Sequence, residues 1–136
     1  MTETLYSETL DERQRLIVPY EIYGTQFLRV ESAIFDFASH LSDDYRGGLW
    51  HFRSVSNGAF YAFPAEEKRF TVRSENGYEG EMSADAFGIT CVLFATSHLS
   101  FGGPETLARA CVDQHYLLRD WMLQHDEARA ILAAID

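Results

Sequence analysis

Two Asn-Gly dipeptides, Asn57-Gly58 and Asn76-Gly77, each interrupt a stretch rich in aromatic and β-branched residues. In that setting Asn-Gly is a strong hairpin signal, because both residues tolerate the positive φ that a tight turn demands. The first dipeptide predicts a hairpin of Leu49 to Val55 with Ala59 to Phe63 around Ser56-Asn57-Gly58, and the second pairs Phe70 to Ser74 with Tyr78 to Met82. Two hairpins in tandem imply an antiparallel meander of about four strands. Successive side chains on a strand point to opposite faces, so Trp50 and Phe52 share one face and His51 and Arg53 the other.

Helical periodicity surrounds this β region. Phe27, Val30, Ile34, Phe37, Ala38 and Leu41 recur at spacings of three and four, which predicts a helix from about Gln26 to Leu41. Leu16 to Tyr23 is apolar with Pro19 inside and reads as an irregular or extended arm. Past the strands, Ser83 is placed to cap a helix from Ala84 to about Leu99 that is apolar nearly all round and therefore central. Gly102-Gly103-Pro104 ends it and starts the next, with Pro104 at the first helical position. Leu107, Cys111, Leu118 and Met122 mark one face of that helix to about Gln124, and Asp126 caps a short last one through Ile131, Leu132 and Ile135. The expected fold class is α+β: an antiparallel meander of about four strands packed against three to four helices, in a single domain over residues 1–136.

Charge limits the function classes. With 21 acidic against 11 basic residues the formal net charge is −10, so direct nucleic-acid binding is not expected, since phosphate contacts need a basic surface. An acidic protein could instead imitate DNA in a nuclease groove. The distribution argues against mimicry by the whole surface. Residues 1–45 hold nine acids and three bases, 46–73 two and five, 74–136 ten and three, and no carboxylate falls between Phe87 and Phe101. A local acidic patch is the form that survives. No apolar run suits a membrane span, and the acidic, polar N-terminus differs from a basic and then apolar signal peptide, so a cytoplasmic location is expected.

Catalytic signatures are missing. There is no G-x-S-x-G elbow, no P-loop and no G-x-G-x-x-G, so neither nucleophilic catalysis nor a nucleotide cofactor is indicated. Cys91 and Cys111 lack C-x-x-C spacing and read as core thiols. None of the five histidines stands four residues from another, so no metal site is expected. Trp50, Phe52, Phe60, Tyr61 and Phe63 read as core or cross-strand residues, not as a base-stacking platform. Two clusters of chemistry-bearing side chains stand out. Glu79 and Glu81 sit two apart on a strand and so face the same side, followed by Asp85; a solvated edge and a helix cap explain them most simply, with a partner-binding patch as the functional reading and an acid/base pair the remotest. Asp43, Asp44 and Tyr45 lie in a loop before Gly47-Gly48, where a helix terminator suffices, although loops beside rigid hairpins also concentrate binding residues.

The order of the longer motifs carries more information than any one of them. Asp44-Tyr45-Arg46-Gly47-Gly48-Leu49-Trp50-His51-Phe52, Ser56-Asn57-Gly58-Ala59-Phe60-Tyr61, Tyr78-Glu79-Gly80-Glu81-Met82-Ser83-Ala84-Asp85-Ala86-Phe87-Gly88-Ile89, and Leu118-Arg119-Asp120 through His125-Asp126-Glu127-Ala128 to Asp136 together resemble the ArdB/KlcA family of antirestriction proteins, over roughly Leu16 to Asp136. His51 stands where the resemblance leads one to expect an acidic residue, and Ala59 replaces a glycine. The resemblance implies relief of type I restriction of unmodified incoming DNA, by a compact α/β protein with neither cofactor nor assigned catalytic residues. The implied partner is the type I restriction-modification complex or an associated host protein, with no membrane and no small-molecule substrate. The expected contact patch is drawn from Asp43, Asp44, Tyr45, Glu79, Glu81 and Asp85. The alternative is direct inhibition by a DNA mimic that occupies the enzyme's DNA groove.

Overall fold

A computed structural model describes residues 3–136. In chain order the elements are β1 (Ser7–Thr9), α1 (Glu12–Arg15), α2 (Val18–Tyr23), a 3-10 turn (Gly24–Gln26), α3 (Phe27–Leu41), β2 (Trp50–Val55), β3 (Phe60–Pro64), β4 (Arg69–Arg73), β5 (Glu79–Ser83), α4 (Ala84–Leu99), α5 (Glu105–Met122) and α6 (Ala128–Ile135). The α+β architecture of antiparallel strands and packed helices is the one anticipated.

The strands divide into two sheets, β1-β2-β3 and β4-β5. Each Asn-Gly makes its hairpin, with Trp50 opposite Pro64 in one and Phe70 opposite Met82 in the other. The turn geometry differs from the tightest type. Val55 accepts from the Gly58 amide and donates to the Ala59 carbonyl, and only the glycine has positive φ (98° at Gly58, 95° at Gly77). These are three-residue loops closed by a left-handed glycine. The asparagines are used twice. Asn57 and Asn76 accept from the amides two residues on, while their Nδ2 groups donate to the carbonyls of Leu117 at 2.8 Å and Ala133 at 2.9 Å. Each turn is thus pinned to a later helix.

Helix α4 is the centre. Its residues Ala86 to Leu93 are all buried, and it packs against α3, α5, α6 and β3. Gly88 lets it lie close on the sheet: a Cβ there would come within 2.2 Å of the Ala62 carbonyl oxygen and 2.4 Å of Phe63 Cβ. Phe70 of β4 stacks on Phe87 with ring centroids 4.6 Å apart, which ties the small sheet to the same core.

Four segments depart from the sequence reading. Residues Val18–Tyr23 are helical, not an extended arm, because Pro19 occupies the first turn, where its missing N–H costs nothing. Strand β1 adds an edge to β2, pairing Ser7 with Val55; its Ser-Glu-Thr sequence carries no apolar alternation to announce it. Pro104 is the N-cap of α5, one residue before the helix. The N-cap of α6 is Glu127, not Asp126, and its side chain is committed elsewhere.

Candidate functional site

The anticipated contact residues fall into two groups. In the β4-β5 hairpin Phe70, Val72 and Met82 point into the core, so the alternate residues Arg69, Thr71, Arg73, Glu79 and Glu81 form the outer face. The register sets Glu81 across from Thr71 and Glu79 across from Arg73. The loop between α3 and β2 joins this face through Asp44, whose carboxylate accepts from the Thr71 amide at 2.8 Å and whose carbonyl accepts from Lys68 Nζ at 2.7 Å. The Thr71 amide, more than any nearby cation, holds the Asp44 carboxyl below its ordinary pKa. Asp43 and Asp44 then line a shallow cleft of about 230 Å³ with Thr71 and Arg73. Asp43, Glu79 and Glu81 are exposed. Glu79 pairs with Arg73 at 3.2 Å, but both are more than half exposed, so the pair adds little to stability. The face is acidic but mixed, with arginines set among the carboxylates.

Tyr45 and Asp85 are turned inward. The Tyr45 hydroxyl accepts from Trp50 Nε1 at 3.2 Å and its ring meets Trp50 edge-on, so it serves as a prop for the first hairpin. Asp85, in the first turn of α4, accepts from the Tyr61 hydroxyl at 2.8 Å, faces His125 Nε2 at 3.5 Å and lies 3.9 Å from Arg53.

Around Asp85 the structure assembles a polar cluster that the sequence reading did not find. Glu127 accepts from the Ser83 amide at 2.9 Å, binds the Ser83 hydroxyl and pairs with Arg69 at 3.5 Å. Ser83 meanwhile caps α4 by accepting from the Ala86 amide at 3.2 Å. The start of α6 is therefore laced to the point where β5 becomes α4. Burial pushes the Asp85 carboxyl up, but the bonds from His125 and Tyr61 outweigh it and leave it below the ordinary carboxylate range. The bond to Asp85 raises the His125 imidazole against the opposing effect of burial. Burial, reinforced by the Asp85 charge, raises the Tyr61 phenol. The only sequence hint was the motif His125-Asp126-Glu127, whose partners Asp85 and Ser83 lie forty or more residues upstream and are brought near by α5.

The chemistry open to this cluster is narrow. His125 Nδ1 accepts from the Glu127 amide at 3.0 Å while Nε2 faces Asp85, so no ring nitrogen is left to take a proton from a bound molecule. Cys91 and Cys111 are buried, and burial raises both thiols, Cys111 to about 11, so neither is a ready thiolate. Among the described residues no group of three or more His, Cys, Asp or Glu side chains could hold a metal ion. No helix among them is long and apolar enough to cross a membrane.

A fold of this kind, with acidic faces on a β-hairpin and a central apolar helix, has counterparts among known proteins. The chain belongs to the antirestriction protein family, whose description "Antirestriction protein" it matches over residues 43–136. More particularly, it is similar to the antirestriction protein KlcA of Escherichia coli, 38% identical over 130 residues that cover 92% of this chain and 88% of that protein. The uncharacterized protein YfjX of Escherichia coli K12 is 36% identical over 119 residues, covering 84% of this chain and 76% of that one. One solved structure, described as "The structure of the KlcA and ArdB proteins show a novel fold and antirestriction activity against Type I DNA restriction systems in vivo but not in vitro", superposes with a TM-score of 0.89 at 32% identity, covering 100% of this chain and 98% of that one.

Proposed function

We propose that this protein relieves type I restriction of unmodified DNA entering the cell, acting in the cytoplasm by non-catalytic binding to the restriction machinery or to a host factor that serves it. The observation that carries this reading is the end-to-end likeness to KlcA and ArdB, which extends through the β4-β5 hairpin and the helices packed behind it. Two further features support it. Activity of those relatives in vivo but not in vitro is what a protein needing a cellular partner would display. The engagement of both His125 nitrogens supports binding over catalysis.

The contact surface we assign is the outer face of β4-β5 with the adjoining loop, where Asp43, Glu79 and Glu81 supply exposed carboxylates. Asp44, Tyr45 and Asp85 belong to it as supports that set the loop and the helix start. Arginines set among the acids suit recognition of a protein surface better than imitation of a uniformly charged duplex. The test is to plate unmodified phage on a type I restricting strain with and without the gene. Relief of restriction, seen as a higher plating efficiency with the gene, is expected; equal efficiencies would overturn the proposal.

A further inference from the structure

On the face of α3 turned away from the core, two opposite charges stand at equal distances on either side of Ser32 and Ala33. Arg29 and Asp36 are exposed and two helical turns apart, with exposed Ser32 and half-buried Ala33 midway between them. Among the described residues neither charge has an ion-pair partner. Beside this line runs an open groove of about 770 Å³ between α3 and the end of α4, with Ala33, Phe37 and Leu99 in its lining. Leu28, also in the lining, is 60% exposed, and apolar surface continues past the rim at Phe101, which is 88% exposed. An apolar groove flanked by two unpaired opposite charges is an unfinished contact.

We propose that this face is a self-association surface, covered by α3 of a second copy running antiparallel about a twofold axis that passes between Ser32 and Ala33. Such an axis sets Arg29 of each copy opposite Asp36 of the other, so one pattern yields two ion pairs, as reciprocal twofold contacts require. The charges match because they are equidistant from the axis; a shift of one turn along the helix would leave both unpaired. Ser32 and Ala33 at the crossing are short enough for the helices to approach to about 8–10 Å, within reach of an arginine and an aspartate. Ala33, Phe37 and Leu99 then lose water, which supplies the non-polar part of the contact. Each copy carries a formal charge of −10 and repels the other at long range. Physiological salt, with a Debye length of about 8 Å, screens that repulsion more than it screens pairs in contact. This association does not depend on the antirestriction activity.

Sedimentation equilibrium of the full chain at physiological salt tests it. The wild type is expected to show a concentration-dependent monomer–dimer equilibrium. Arg29→Asp or Asp36→Arg alone, which set like charges against each other, should weaken the dimer at least about tenfold. The double variant R29D/D36R, which restores both pairs with the charges exchanged, should return to within about threefold of wild type. Ser32→Trp, bulky at the crossing, should leave only monomer. All of these positions face solvent or the groove rim, and circular dichroism checks that the fold is kept. A wild type that stays monomeric up to about 1 mM, a dimer indifferent to Arg29→Asp, or a double variant no better than the singles would each overturn the proposal.

Discussion

His125 and Asp85 face each other across the junction of α4 and α6, Nε2 to Oδ1 at 3.5 Å, with only 14% and 29% of their side chains exposed. The pair gives stability a defined pH dependence. The bond to Asp85 raises the imidazole above its ordinary value near 6.5, so its stabilising contribution is complete below about 6.5 and fades as pH rises through the higher folded value. Asp85 is held below about 3.8, so its contribution is complete above that value and is lost as pH falls through the lower folded one. The pair is therefore at full strength between about 4 and 6.5. The Glu127 amide donates to Nδ1 and loses its acceptor when the ring protonates, which limits the rise. We expect the urea midpoint to decline from pH 6 toward pH 8, and His125→Ala to remove most of that slope. An unchanged slope in the variant would show that the titration lies elsewhere.

Replacing Gly88 by alanine should destabilise the protein even though it sits in a helix. In an open helix the exchange would gain about 1 kcal/mol. Here the new Cβ meets the Ala62 carbonyl oxygen at 2.2 Å and Phe63 Cβ at 2.4 Å, atoms on the backbone or next to it that cannot swing aside. Overpacking of this kind costs about 1–3 kcal/mol, more when main chain must move, so a net loss on the order of 2 kcal/mol in urea unfolding is expected. A variant as stable as wild type would mean that α4 can lift from β3 at no cost.

What the sequence disclosed and what it withheld follow from the range of the forces involved. The Asn-Gly turns, the apolar stripe of α3 and the Ser83 cap are set by residues within a few positions of one another, and each was found in place. Strand β1 is held by its pairing with β2 more than forty residues away, and nothing in Ser-Glu-Thr encodes that. The same holds for the site. Glu79 and Glu81 share an outer face because strand periodicity is local. That Asp44 is spent on the Thr71 amide, and Asp85 on Tyr61 and His125, depends on contacts between distant segments. The Glu127 to Ser83 lacing was missed for the same reason: a glutamate at a helix start ordinarily answers to its own helix.

Asp44 should behave as a latch for the loop and not as a pillar of the fold. Its carboxylate holds the Thr71 amide from a half-buried position, so Asp44→Ala, which removes the acceptor that an asparagine would keep, should raise hydrogen exchange at that amide while leaving the core amides of α4 unchanged. Because its pKa is depressed from about 3.8, the latch is complete above that pH and releases as pH falls through the lower folded value. Exchange at Thr71 in the wild type, corrected for intrinsic rates, should therefore increase on acidification and approach that of the variant. Protection equal in the two proteins at neutral pH would rule the latch out.

The division of the acidic residues into exposed and inward-held sets makes the sharpest functional prediction. Asp43, Glu79 and Glu81 have no buried bond to lose, so reversing each to lysine should shift stability by no more than about 0.5 kcal/mol per site, even though Glu79 gives up its exposed pair with Arg73. If these carboxylates meet the partner, the triple variant should still fold, unfold at nearly the wild-type temperature, and give no relief when unmodified phage is plated on a restricting strain. Asp85→Ala should do the opposite in the first instance: the buried Tyr61 hydroxyl loses its acceptor, at a cost of about 1–3 kcal/mol, and any loss of relief should recover when the temperature is lowered enough to restore folding. A stable triple variant with full activity would move the contact surface off the β4-β5 face altogether.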